Sequence, residues 1–166
     1  MDEIIIEEKV TLAKNLFKEG YNCCQAVFAS CADVLDLNDR SLALRLSASF
    51  GGGMGRMRKT CGAVCGMLLL EGLRTGGDTP QWDKKINYTH VQNLIRTFEN
   101  TFGSSTCLDL LKQTHITADD LPVPNKRDET YYKKRPCADL VAQAVRIFLS
   151  SIDETIPDLA KFNNNN

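Results

Sequence analysis

The chain has 166 residues, of which 43% are hydrophobic and 25% charged, the balance of a globular protein large enough to bury a core without staples. Twenty basic side chains against twenty-one acidic ones leave a net charge of −1, which argues against general nucleic-acid binding. Charge-free runs such as Thr60 to Leu70 fall far short of the roughly 20 residues that span a bilayer, and Met1-Asp2-Glu3 does not open a signal peptide, so a cytoplasmic location is expected.

Read in chain order, the pattern is helical nearly throughout. Ile6, Val10, Ala13 and Phe17, with Leu16 beside them, recur at helical intervals, and Gly20 is the stop. Asn22 caps a second helix with Gln25 in capping-box position, and its buried stripe includes Val27, Cys31, Val34 and Leu35. A short third helix opens at Asn38 or Asp39 and ends at Phe50. A glycine-rich basic loop follows from Gly51 to Lys59, and Thr60 caps a fourth helix that runs to about Arg74. Thr79-Pro80 starts the fifth, with Ile86, Val91, Leu94, Ile95, Phe98 and Phe102 in helical register and Gly103 as its end. Thr106 with Asp109 reads as a capping box for a short helix through Leu111. Gln113 to Lys134 reads as a long ordered loop with about one turn of helix. Pro136 starts a last helix, with Leu140, Val141, Ala144, Val145, Phe148 and Ile152 inward, and Pro157 closes it. The expected fold is all-α: a single compact domain of about six helices over residues 1–160, with a frayed asparagine-rich tail at 161–166.

Seven cysteines, at 23, 24, 31, 61, 65, 107 and 137, are the unusual feature. No C-x-x-C pair is present, so neither a thioredoxin-type motif nor a zinc ribbon fits. On the helix map Cys23, Cys61, Cys107 and Cys137 each fall in the first turn of a different helix. Unpaired backbone N–H groups and the positive end of the helix dipole favour a thiolate there. Four such starts aimed at one point suit an iron–sulfur cluster, one or two reversible disulfides, or a zinc ion. Zinc fits less well, because the spacings of 38, 46 and 30 residues lack the close pairs that structural zinc sites use. Cys31 lies on an apolar face and reads as core, Cys24 as packing, and Cys65, one turn after Cys61, as a resolving thiol or a bystander.

The segment Cys61-Gly62-Ala63-Val64-Cys65-Gly66 resembles the CGAxxG motif of a family of small bacterial and archaeal proteins named for its C-GCAxxG-C-C pattern. The resemblance extends over roughly residues 10 to 150. Gly20-Tyr21-Asn22-Cys23 is similar to the family's first cysteine segment, and Phe50 to Gly55 to its glycine-rich approach. Cys107, after Phe102-Gly103-Ser104, and Cys137, ahead of Ala138-Asp139-Leu140-Val141, correspond to its third and fourth cysteines. Cys65 departs from the motif. The resemblance implies a helical fold and a redox role, with these four cysteines as the active set; it implies no substrate.

Two further features bear on function. Gly62 and Gly66 leave one face of their helix start bare, either for a cofactor or for close helix packing. The loop at 51–59, with Arg56, Arg58 and Lys59, suits a small anion, although it is no P-loop because Arg58 stands where that motif needs glycine. His90 and His115 read as surface histidines. The functional expectation is therefore a redox protein acting by electron transfer or thiol–disulfide exchange, with Cys61 as the attacking thiolate in the second case. The alternative is a small-anion or structural-metal binding module. The expected partner is a redox protein or small molecule, and the amphipathic helices leave room for a homodimer.

Overall fold

A computed structural model describes residues 1–119 and 121–153. Eight α-helices are present among them: α1 (Glu3–Lys18), α2 (Cys23–Cys31), α3 (Arg40–Ser47), α4 (Gly62–Thr75), α5 (Lys84–Phe102), α6 (Cys107–Lys112), α7 (Glu129–Lys134) and α8 (Cys137–Ser151). The all-α expectation holds, with more helices than the six or so expected; α7 is the turn of helix foreseen within the 113–134 loop. No strand occurs among the described residues, only an isolated antiparallel bridge between Thr60 and Thr106.

Each helix forms where local chemistry and a buried stripe agree. In α1, Asp2 accepts from the Ile4 N–H as N-cap, and Ile6, Val10, Ala13, Leu16 and Phe17 are buried. In α2, Asn22 and Gln25 complete the expected capping box. The helix ends four residues early, because Ala32–Leu35 tightens into a 3₁₀ turn that closes with Asp36 in the left-handed region. The third helix likewise stops at Ser47, and Ala48–Phe50 is 3₁₀. Asp83, rather than Thr79-Pro80, begins α5, because its carboxylate accepts from the Lys85 and Ile86 amides. The asparagine-rich tail and Pro157 lie outside the described residues.

Helix α2 packs against α1, α4 and α8, α8 packs in turn on α1 and α4, and α5 lies over α4 and α8. Their apolar faces form one contiguous core that includes Val27, Val64, Met67, Leu70, Phe98, Val145 and Phe148. Burying a side chain the size of Phe148 contributes about 1.5–3 kcal/mol. Cys31 is fully buried within this cluster and Cys24 is fully buried beside Cys23, as packing residues. Among the described residues, no helix is long and apolar enough to cross a membrane.

Candidate functional site

The N-terminal ends of α2, α4, α6 and α8 face a single cavity of about 400 Å³, and Cys23, Cys61, Cys107 and Cys137 all line it. Three of the starts follow the sequence reading: Cys23 follows the Asn22 cap, Cys107 follows Thr106, and Cys137 follows Pro136. The fourth is corrected by one residue. Cys61 is itself the N-cap of α4, because the segment before it pairs with the segment before α6. The Cys61 N–H donates to Ser105 O at 2.8 Å, and the Cys107 and Leu108 N–H groups donate to Lys59 O and Arg58 O at 2.7 and 3.2 Å. That pairing sets Cys61 and Cys107 side by side. It also consumes first-turn amides that were expected to stabilise a thiolate at Cys107. The capping box at Thr106 is replaced by Ser104, whose Oγ accepts from the Thr106 N–H and donates to Asp109.

The electrostatics reverse the sequence expectation of lowered thiol pKa values. Burial pushes the Cys61 thiol well above its ordinary value, and the neighbouring Cys23, Cys107 and Cys137 add to the rise, while the Ala63 amide opposes it. Burial likewise raises Cys137 to about 12, with Cys23 adding and the Arg135 guanidinium opposing. Cys107 is raised by burial and by Cys23, against the pull of Arg58. In a metal-free pocket these sulfurs are therefore neutral thiols at pH 7. Cys61 is only 4% exposed, so neither its access nor its ionisation suits the role of attacking thiolate.

Cys65 is buried behind this set and is not among the cavity-lining residues; its Sγ points at the Thr60 carbonyl, 3.9 Å away. Burial raises its thiol to about 11. Gly62 and Gly66 do not line the cavity either. A Cβ on Gly62 would meet Cys23 Sγ at 2.4 Å and Phe50 O at 2.9 Å, and one on Gly66 would meet Val27 Cβ at 2.7 Å. Their bare face is filled by α2, so close helix packing is the use that the structure makes of them. Gly62 thereby lets Cys23 stand against the start of α4.

The glycine-rich loop works differently from an amide cradle. Gly52, Gly53, Met54, Gly55 and Arg56 all have φ between +57° and +72°, and Arg58 has +58°. This left-handed run costs non-glycine residues about 1–2 kcal/mol each. The amides of Gly55, Arg56, Arg58 and Lys59 are spent on carbonyls at Ser49, Gly51, Gly52 and Gly53. The run turns side chains, not amides, toward the cavity, and Arg56 and Arg58 both line it. Arg56 donates to Leu121 O, Asn125 Oδ1 and Asp119 Oδ1 at 2.5, 3.0 and 2.8 Å, so it holds the segment after α6 as a roof. Its presence keeps the Asp119 carboxyl below the usual range.

Arg127, Tyr131 and Arg135 also line the cavity, and of these sequence reasoning missed Arg127. The four-residue spacing of Tyr131 and Arg135 brings the guanidinium to 4.6 Å from the ring centre. His90 is also corrected: it is largely buried, with Nδ1 3.0 Å from Glu71 Oε1. Among the described residues, no three His, Cys, Asp or Glu side chains are grouped as a single metal ion would require.

Comparison with known proteins agrees with the cysteine pattern. The family described as "Putative redox-active protein (C_GCAxxG_C_C)" matches residues 21–150. A protein of Archaeoglobus fulgidus described as uncharacterized is 25% identical over 147 residues, covering 84% of this chain and 89% of that protein. No solved structure matches.

Proposed function

The chain belongs to the C_GCAxxG_C_C family, and from that premise we propose that it is an electron carrier whose four cysteines, Cys23, Cys61, Cys107 and Cys137, hold an iron–sulfur cluster. The observation that carries this reading is the meeting of four separate helix starts, each bearing one cysteine, on one cavity. The burial of Cys61 and Cys107 suits a cluster and hinders exchange at those sulfurs, which needs an exposed, ionised sulfur. A single zinc ion would need its ligands gathered within about 2.3 Å of one point, whereas a cluster spreads its ligands around a larger body.

When bound, the cluster supplies one-electron chemistry, at a potential set by net charge, hydrogen bonds and burial. The chain's contribution is to ligate and to neutralise. Coordination would replace the proton on Cys61, Cys107 and Cys137, whose ionisation burial opposes in the metal-free chain. Arg58, beside Cys107, and Arg135, near Cys107 and Cys137, offset the negative charge then gathered at the sulfurs. The roof held by Arg56 and the apolar residues Leu110 and Leu111 limit access of water.

Iron and acid-labile sulfide measured in protein purified without oxygen test the proposal. Matched amounts of both, with a visible absorption that Cys107→Ser removes, are expected. Absence of iron, together with seven countable thiols, would overturn it.

A further inference from the structure

The cavity contains positive charge that no acidic side chain balances. Of the four arginines lining it, Arg56 pairs with Asp119, but Arg58, Arg127 and Arg135 have no carboxylate partner among the described residues. Arg58 is only 6% exposed, and its Nη2 is buried with no hydrogen-bond partner, while its Nε donates to Asp119 O at 2.8 Å. An unpaired buried guanidinium is strongly unfavourable, and each donor left unmade adds to the cost. Arg127 spends Nη1 on the carbonyls of Phe17 and Tyr21, at 3.0 and 2.8 Å, and lies 4.8 Å from the Phe17 ring centre. Arg135 donates to Asn125 Oδ1 at 3.2 Å and lies over Tyr131.

The walls between these charges are apolar. Phe17, Tyr131, Leu110 and Pro122 line the same space, and its volume of about 400 Å³ is within the range of small-molecule sites. We propose that the cavity binds a small organic anion, a carboxylate or a phosphate ester, whose charged group accepts from Arg58 Nη2 and whose apolar body packs against Leu110 and Pro122. The molecule sits beside Cys107 and Cys137, so a redox centre at the cysteines would have its small-molecule partner in contact. The anion site depends on arginines and apolar walls, and stands whether or not a metal occupies the cysteines.

Calorimetric titration of the full chain, purified without oxygen, tests this with benzoate, benzamide and inorganic phosphate as probes. Benzoate is expected to bind once per chain, at least about tenfold more tightly than neutral benzamide or bare phosphate. Arg58→Gln should weaken it by at least about tenfold, the worth of one charge-assisted hydrogen bond. Arg135→Gln should weaken it several-fold, and because Arg135 is half-buried that variant guards against a folding failure at Arg58. The inference is overturned by no saturable benzoate binding, by equal binding of benzoate and benzamide, or by both variants binding as the parent does. Phosphate binding as tightly as benzoate overturns the organic class. Binding confined to metal-free chains would assign the guanidiniums to the metal centre and likewise overturn it. Iron measured on the same samples separates the two readings: anion binding without iron removes the cluster alone, and iron without anion binding removes this inference alone.

Discussion

The two ends of α4 hold two polar interiors built on opposite terms. At the C-terminal end Glu71 is completely buried, yet every charge has its partner. Arg74 Nη2 and Nε reach Glu71 Oε2 at 2.8 and 2.9 Å. His90 Nδ1 and Thr75 Oγ1 reach Oε1 at 3.0 and 2.8 Å, and Asn87 donates to Thr75 at 2.8 Å. At the N-terminal end, four cysteines and three guanidiniums without acidic partners surround a cavity. The saturated cluster fixes how α5 sits on α4. The unsaturated one leaves positive charge for something else to balance. A buried polar group with all its partners inside the chain is a structural device; one whose partner is missing marks a place for a ligand.

The sharpest way to break this comparison is to cut each end and compare signs. Glu71→Ala leaves Arg74 and His90 without their carboxylate, and should cost about 3–5 kcal/mol in urea unfolding. Arg58→Met removes a charge that has no partner in the metal-free chain. It should leave that chain's stability unchanged or raise it by up to about 2 kcal/mol, while lowering iron retention after reconstitution. Equal losses at both ends would contradict the distinction.

Smaller effects sharpen the packing between them. A methyl group at Gly66 meets Val27 and the Cys24 carbonyl, so Gly66→Ala should destabilise by about 1–3 kcal/mol. Gly72, on the same helix, has nothing within 4 Å of the equivalent position, and Gly72→Ala should stabilise by about 0.4–1 kcal/mol. Thermal melting of the pair measures both.

The pH dependence is the mildest prediction. Burial raises the core thiol of Cys31 from about 9 to about 11. Its folded pKa lies above its unfolded one, so its contribution is complete below pH 9 and is lost as pH rises toward 11. The melting temperature should fall across that window, less steeply in Cys31→Ala. Identical slopes would contradict the assignment.

The comparison also explains what could be read in the sequence. The cysteine set was legible because its signals are local: the Asn22–Gln25 capping box, Pro136 before Cys137, and the glycine-flanked Cys61. The buried stripes of α1 and α8 were legible for the same reason, since period alone places Val10 or Phe148 inward. Thiol ionisation was misjudged because it depends on burial and on neighbours brought in from elsewhere, which outweigh the helix-start effect expected from local sequence. Glu71 carries no local signal of its role, because its partners His90 and Asn87 come from another helix. Arg127 lay in a stretch without periodicity, and only the folded path from α6 to α7 carries it back to Phe17.

The central claim is that the four cysteines hold an anionic metal centre in this cavity. Quantifying iron and acid-labile sulfide per chain, in anaerobically purified parent protein and in Cys61→Ser, tests it most directly. Iron and sulfide are expected in matched amounts in the parent and to be lost in the variant. A parent free of iron and sulfide, with all seven thiols titratable, would contradict it.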